Sequence, residues 1–466
     1  KPVEPPIGKE SLYATQFKNL PIGQMEEKFA DYGEVQIKQL NDRSKMYYTP
    51  NKENNVFQLV VQYGAGEREF PKLGYAAQLM NNAGIMGAYE PQELKEELSK
   101  LNATCHVTAD DDNLYIIMEG YEATLPQACQ LLSRQILMPK LDEKQLARLK
   151  GSAMGMRQQR KDNVSILNEA LRQYMLYGEK SDYIKELTDK EIYELQISEL
   201  TGDINRASNY EAKVFFTGTL PFDQVYDILS KNLPLVANER PSNSPQAKEM
   251  MPVTENTVYF LPNNDAEQAQ IHLYIPMQKA DKKDDVLRSA FNQYFGLDFT
   301  GIVLNEIREK RSMAYTAYAF VGTQGIAGKA SYLRGYIGTQ NDKANDALDV
   351  LMSLVNDMPK NPERIGNIKS YLRQAMLTSH PSFRNKAMEL VDLGYRGYTD
   401  DPAKENLPKV DALTFDDIVK FYEENIKGKP YCISIMGNPK DIDLKRLEKF
   451  GKVVKLNERK LFNTKD

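Results

Sequence analysis

The sequence predicts an α+β protein of two tandem homologous domains, each a mainly antiparallel sheet covered on one face by helices. Three recurrences along the 466 residues carry that expectation. Gly120-Tyr121 returns as Gly335-Tyr336, Met138-Pro139-Lys140 as Met358-Pro359-Lys360, and Gly218 as Gly437, a spacing of roughly 220 residues throughout. The first landmark follows a strand and precedes a helix with apolar residues at helical spacing. The second separates that helix from another long one. The third ends a strand (VFFTG in one copy, CISIMG in the other) before a turn and a helix.

VFQLVVQYG (56–64) and AQIHLYIPM (269–277) are rich in β-branched and aromatic residues and read as strands. ANERPSNSPQAKEMMPV (237–253) reads as a linker from its Pro, Ser and Asn. The chain thus divides into a first domain at 46–236, the linker at 237–253, and a second domain at 254–466. Residues 1–45, with Pro2, Pro5 and Pro6, fit neither copy and read as an arm or connector. Opening on Lys1 without a methionine, the chain reads as a mature product or an excised fragment.

Composition narrows the function. A hydrophobic share of 41% with 9% aromatics suits a packed globular protein, and no apolar run approaches the roughly 20 residues of a membrane helix. A net charge of −5 argues against nucleic acid as a partner. Three widely spaced cysteines, Cys105, Cys129 and Cys432, form no legible disulfide framework or zinc motif. The three histidines, His106, His272 and His380, stand far apart, so none has a second imidazole at ligand spacing. Cys105 and His106 are neighbours on a strand, where their side chains point to opposite faces. Asp110-Asp111-Asp112-Asn113 lacks the spacing of a calcium loop and reads as a hairpin turn. GTQGIAGKAS (322–331) lacks the glycine spacing of a phosphate loop.

The stretch GYAAQLMNNAG (74–84) is an amphipathic helix opened near Pro71. In a chain with 27% charged residues, it carries no side chain that ionises near neutral pH. A strand ending in glycine, then acidic residues and a proline, lead into it (VVQYGAGEREFPKL). NATCHVTADDDNLYIIMEGY (102–121) supplies a strand pair after it. This layout resembles the inverzincin zinc peptidases of the pitrilysin/insulinase type, over roughly residues 46 to 460. In that family the helix carries H-x-x-E-H: two histidines one turn apart hold zinc, and the glutamate acts as general base. A later helix adds a glutamate ligand. The resemblance puts the ligand positions at Ala77 and Asn81 and the base at Met80, while the later helix, GSAMGMRQQRK (151–161), has no carboxylate. Alanine offers no lone pair, and an amide is a poor zinc ligand beside imidazole. The resemblance therefore implies a half with no metal or cofactor of its own. Zinc would reside in a catalytic half, fused in the same full-length chain or present as a separate subunit.

LNEIREKRSMAYTAYAF (304–320) resembles the segment through which the family's zinc-free half contributes an Arg and a Tyr seven residues apart. That match falls on Arg308 and Tyr315. Arg308 is expected late on a helix, followed by a short turn and a strand beginning near Met313. Both side chains could then donate to a substrate carbonyl. The implied function is the non-catalytic half of a zinc metalloendopeptidase, inactive alone, that binds unfolded peptide and completes the active site of the zinc-bearing half. The alternative is a structural, assembly or protein-binding module that has lost peptidase function, as in the core proteins of respiratory complexes. Composition suits a periplasm or a cytoplasm, with a lean towards the periplasm.

Overall fold

A computed structural model of the protein describes residues 26–160, 163–296 and 300–463, together with Leu12, Tyr13, Gln16 and Leu20. The first repeat supplies β1 (Gln36–Gln39), β2 (Lys45–Pro50), β3 (Val56–Tyr63), β4 (Gly84–Ile85), β5 (Thr104–Ala109), β6 (Leu114–Tyr121), β7 (Pro139–Lys140) and β8 (Ala212–Gly218). The second supplies β9 (Thr257–Pro262), β10 (Gln268–Lys279), β11 (Ala314–Thr323), β12 (Ala330–Gln340), β13 (Cys432–Gly437) and β14 (Lys452–Lys455). Two six-stranded sheets result, ordered β1-β2-β8-β3-β6-β5 and β11-β12-β10-β13-β9-β14, and β4 pairs with β7 in a small ribbon. The duplication is thus preserved in space. In each sheet the first long strand of the repeat (β3, β10) sits between the strand that ends in Gly218 or Gly437 (β8, β13) and the hairpin's inner strand (β6, β12).

Alternation decides which face is buried. On β3, Phe57, Leu59, Val61 and Tyr63 turn inward, joined by Val214 and Phe216 of β8 and Leu114, Ile116 and Met118 of β6. Helix α1 (Leu73–Met80) and helix α2 (Leu125–Leu137) cover them; α2 contributes Ala128, Leu132 and Ile136. Helix α3 (Glu143–Gln159) adds Leu146. In the second repeat, Ile271, Leu273 and Ile275 of β10 and Leu333 and Ile337 of β12 do the same. They lie beneath helices α5 (Asp285–Phe295) and α6 (Ala344–Asn356).

The opposite faces carry a feature the pattern did not announce. Helix α4 (Val164–Tyr177), from the first repeat, lays Leu167, Ala170 and Leu171 on Leu261 and Met436 of the second sheet. Its Met175 and Leu176 reach Tyr274 and Cys432. Reciprocally, helix α7 (Lys386–Tyr395), from the second repeat, packs Ala387, Met388 and Val391 against Val60 and Phe215 of the first. The repeats have exchanged helices. Burying such a side chain contributes roughly 2 kcal/mol, so the exchange ties the halves into one unit.

One domain boundary needs correction. The sequence places residues 1–45 in an arm outside both cores, but β1 forms the edge of the first sheet, paired antiparallel with β2 from Gln36↔Tyr48 to Gln39↔Lys45. The sequence QIKQ is polar and short, and an edge strand needs no apolar face, so its pattern is silent. Ala30 and Tyr32 are buried with Leu393 and Tyr398 of the second repeat. The Ala30 amide donates to Asp401 Oδ2 at 2.6 Å, and Lys386 Nζ donates to Glu34 Oε2 at 2.6 Å. Most of residues 1–25 lies outside the described residues. The linker is also anchored, since Glu239 accepts from the amides of Arg43 (2.9 Å) and Ser44 (2.8 Å).

Leu171→Ala is expected to cost about 3 kcal/mol in urea unfolding. Because α4 serves the other sheet, hydrogen exchange should show lost protection in β9, β10 and β13 as well as in α4. Loss confined to the first repeat would contradict the exchange.

Candidate functional site

Helix α1 is where the family resemblance expects a metal, and its residues do other work. Ala77 is 1% exposed and Met80 fully buried, both inside the first core. Asn81, just past the helix, has both ends of its amide engaged. Its Nδ2 donates to the Val107 carbonyl at 2.9 Å, and its Oδ1 accepts from the Val107 amide at 2.7 Å. Those groups of β5 face away from β6, so Asn81 closes part of the sheet's free edge. Asn292, on α5, repeats the arrangement on the edge strand β11: it accepts from Val321 N at 2.6 Å and donates to Val321 O at 3.0 Å. Asn81, which the resemblance would make a ligand position, is a framework clamp, and the same clamp recurs in the second repeat. Gln135 Nε2 completes the helix end, donating to the carbonyls of Met80 (3.2 Å) and Ala83 (3.3 Å). These side chains do not fit zinc. Among the described residues, no group of three or more His, Cys, Asp and Glu is arranged to hold a metal ion.

Arg308 and Tyr315 do come together. The helical segment that starts at Ile302 widens over Asn305–Glu309 into a π turn, with the Lys310 amide donating to the Asn305 carbonyl at 3.0 Å. Glu306 binds Lys310 at 2.7 Å and also Arg311, anchoring the turn and leaving Arg308 on the outer side. Ser312, at φ +50°, reverses the chain into β11, which begins at Ala314, one residue after the expected start. The register then slips: Ala314 faces Thr339 and Thr316 faces Gly338, leaving Tyr315 as the extra residue of a bulge. Tyr315 is 76% exposed, and the Arg308 guanidinium carbon lies 5.2 Å from its ring centre. The pair borders a cleft of about 490 Å³ with Gln268, Gly338, Gln340 and Lys343.

The remaining sequence candidates settle into structural roles. His106 is exposed and Cys105 half-buried on β5, their side chains diverging as expected. Burial pushes the Cys105 thiol up to about 12, which makes it a poor nucleophile. Asp110 Oδ1 accepts from the amides of Asp112 (2.8 Å) and Asn113 (2.7 Å), a side-chain-closed turn. Residues 324–329 form the turn between β11 and β12. His272 is buried beside Asn168 at 3.0 Å and its imidazole is held neutral, its pKa lowered to about 3 by burial and by Arg334 and Arg172.

Sequence reasoning missed Glu67. It borders a charged cleft of about 760 Å³ with Arg68, Asp182, Lys185 and Lys248. It also lies over Gly74, where a Cβ would come within 2.0 Å of its Oε1. Burial, then Asp111, Asp110 and Asp182, raise its pKa to about 7. Nothing in GEREF marks that glutamate apart from its neighbours, because the acids that act on it are brought close by the fold.

Residues 208–368 match the family model described as the peptidase M16 inactive domain. The matched span runs from β8 through α6 and contains Asn292, Arg308 and Tyr315. It bears out the resemblance to a pitrilysin-type half without its zinc motif. The chain shares its fold with the crystal structure of a peptidase M16 inactive domain from Pseudomonas fluorescens (17% identity, TM-score 0.67), the match covering 88% of this chain and 99% of that one. It is similar too to the ferredoxin protease FusC, solved in complex with Arabidopsis ferredoxin (12% identity, TM-score 0.65), and covers 91% of this chain against 49% of FusC. The periplasmic protease PqqL from Escherichia coli gives the same picture (12%, TM-score 0.65, 91% against 50%). This chain spans about half the length of those two proteases. No curated protein sequence matches it.

Asn81→Leu should lower stability by about 1–3 kcal/mol in chemical denaturation, since it strands two backbone groups of β5; an unchanged midpoint would remove the clamp. Glu67 gives a pH signature. Its folded pKa lies above the unfolded one, so its contribution is most favourable below about pH 4.5 and declines as pH rises towards 7. Glu67→Gln should therefore add on the order of 1–2 kcal/mol at pH 8 and little at pH 4.5, and equal effects at both would refute the shift.

Proposed function

We propose that this chain is the non-catalytic half of a zinc metalloendopeptidase. It closes with a zinc-bearing half around an unfolded peptide, and Arg308 and Tyr315 grip that peptide. The observation that carries the reading is a contrast between two sets of side chains. Ala77, Met80 and Asn81 are absorbed into core and edge, whereas Arg308 and Tyr315 are turned outward by a π turn and a bulge onto one cleft. Backbone irregularities of this kind carry a cost in regular pairing and recur next to functional sites.

The chemistry follows from the donors. The guanidinium offers a planar set of N–H groups and the phenol one O–H, both able to donate to a substrate carbonyl oxygen and to hold it as negative charge develops there. Bond cleavage itself belongs to the other half. The double length of FusC and PqqL supports a fused or separate partner of like size.

The purified chain should neither retain zinc nor hydrolyse peptides, and adding the half that bears H-x-x-E-H should restore cleavage. In that mixture Arg308→Ala or Tyr315→Phe should lower turnover on the order of tenfold or more. Turnover unchanged in both variants would defeat the assignment, and stoichiometric zinc with chelator-sensitive proteolysis in the chain alone would defeat the reading as a whole.

A further inference from the structure

The outer face of the second sheet is only partly covered by α4. That helix lies over β9, β10 and β13, packing on Leu261, Met436 and Tyr274. Towards the edge, β11 and β12 present Tyr318, Phe320, Tyr332, Arg334 and Tyr336, all half-buried. The register arranges them in rows: Tyr318 opposite Tyr336 and then His272, Phe320 opposite Arg334 and then Tyr274, Gly322 opposite Tyr332. Tyr318 stacks obliquely on Tyr336 at 5.2 Å and on Phe320 at 6.0 Å. The result is an aromatic platform with a guanidinium set into it.

That guanidinium has no carboxylate to itself. Arg334 makes no hydrogen bond or ion pair among the described residues, and its Nε is sealed from solvent without a partner. The titratable and charged groups around it are Glu169, Arg172 and Tyr177 of α4 and His272 of β10. Arg172 holds Glu169 through Nε at 2.7 Å and a second contact, so that carboxylate is already chelated, and His272 is neutral. Two guanidinium charges share one carboxylate. A half-buried arginine left in that position is poised for an anion.

The platform is continuous with the Arg308–Tyr315 cleft. Gln268, Gly338 and Gln340 of that cleft share strand parity with Tyr336 and Arg334, and so lie on the same face. From Tyr315 to the Phe320–Arg334 row, an extended peptide running along β11 covers roughly 16 Å, or four to five residues. We infer that Arg334 is a specificity subsite for the side-chain carboxylate of an acidic residue, carried four to five positions along an extended peptide from the residue gripped at Arg308 and Tyr315, with the Tyr318–Phe320–Tyr336 rings receiving the apolar residue beside it. Beyond that row the linker approaches, with Tyr332 packed near Met250 and Val253 and Gln324 bonded to the Lys248 carbonyl, so paired free-acid and amide peptides separate a side-chain carboxylate from a chain terminus. The inference rests on the reading of Arg308 and Tyr315 as a peptide grip.

The test is fluorescence anisotropy on the full chain, with extended apolar peptides that differ only by Asp or Asn at one scanned position, each as free acid and as C-terminal amide. At one position the Asp peptide should bind about tenfold tighter than its Asn twin. That preference should survive amidation and disappear in Arg334→Gln. Equal binding of Asp and Asn peptides at every position would overturn the inference, and so would an Asp preference that persists in a folded Arg334→Gln protein. A preference that follows the terminal carboxylate would also overturn it. Should Arg334→Gln fail to fold, the Asp–Asn comparison on the unaltered chain decides. Arg308→Ala and Tyr315→Phe should weaken all peptides alike. If they weaken none while the Asp preference remains, the grip fails and the Arg334 subsite stands.

Discussion

Each repeat of this protein builds a sheet with two apolar faces, and its own helices can cover only one of them. The second face is covered by a helix from the other repeat: α4 lies on the second sheet and α7 on the first. That reciprocal burial is the constraint on which the rest depends. It fixes the two sheets relative to each other, leaves the β11–β12 end of one outer face partly open, and draws Tyr32 and Glu34 into contact with the second repeat. Neither half retains a covered sheet without the other, so the two cores are expected to behave as one cooperative unit.

Within that frame, the helix where the family resemblance expects a metal serves the framework instead. Two ligand positions and a base position would have to keep polar groups turned to a cleft. Here Ala77 and Met80 are packed among apolar residues, and Asn81 satisfies both backbone groups of Val107. Asn292 makes the same pair of bonds to Val321. Helix and edge strand are therefore joined alike in the two repeats. An amide suits this task because it presents a donor and an acceptor side by side, matching the N–H and C=O of a single edge residue.

The candidate site depends on two local departures from regular structure. An ordinary α-helical turn continuing into an unbroken strand would bring Arg308 and Tyr315 out on different lines. The π turn at Asn305–Glu309 and the extra residue at Tyr315 shift both, and the ring and guanidinium meet at 5.2 Å. The ion pairs of Glu306 with Lys310 and Arg311 leave Arg308 facing the cleft. Electrostatics then separates the surfaces: Glu67 sits among acids in one cleft, Arg334 among aromatic rings on another face.

Local pattern determined a great deal. The duplication, the α+β class and the inward faces of β3 and β10 were legible because burial imposes a strict period on side chains. That the resemblance places no ligand at Ala77 and Asn81 and no base at Met80 was legible because coordination and proton transfer need particular atoms, and their absence is visible in the letters. Arg308 and Tyr315 were found through spacing and family resemblance, without the bulge that brings them into register. The tertiary structure alone decided the exchange of helices, the place of the polar strand β1, the clamp formed by Asn81, the raised pKa of Glu67 and the unpaired charge of Arg334. Each of these depends on which distant groups become neighbours, and a free energy set by contact across the fold leaves no periodic trace along the chain.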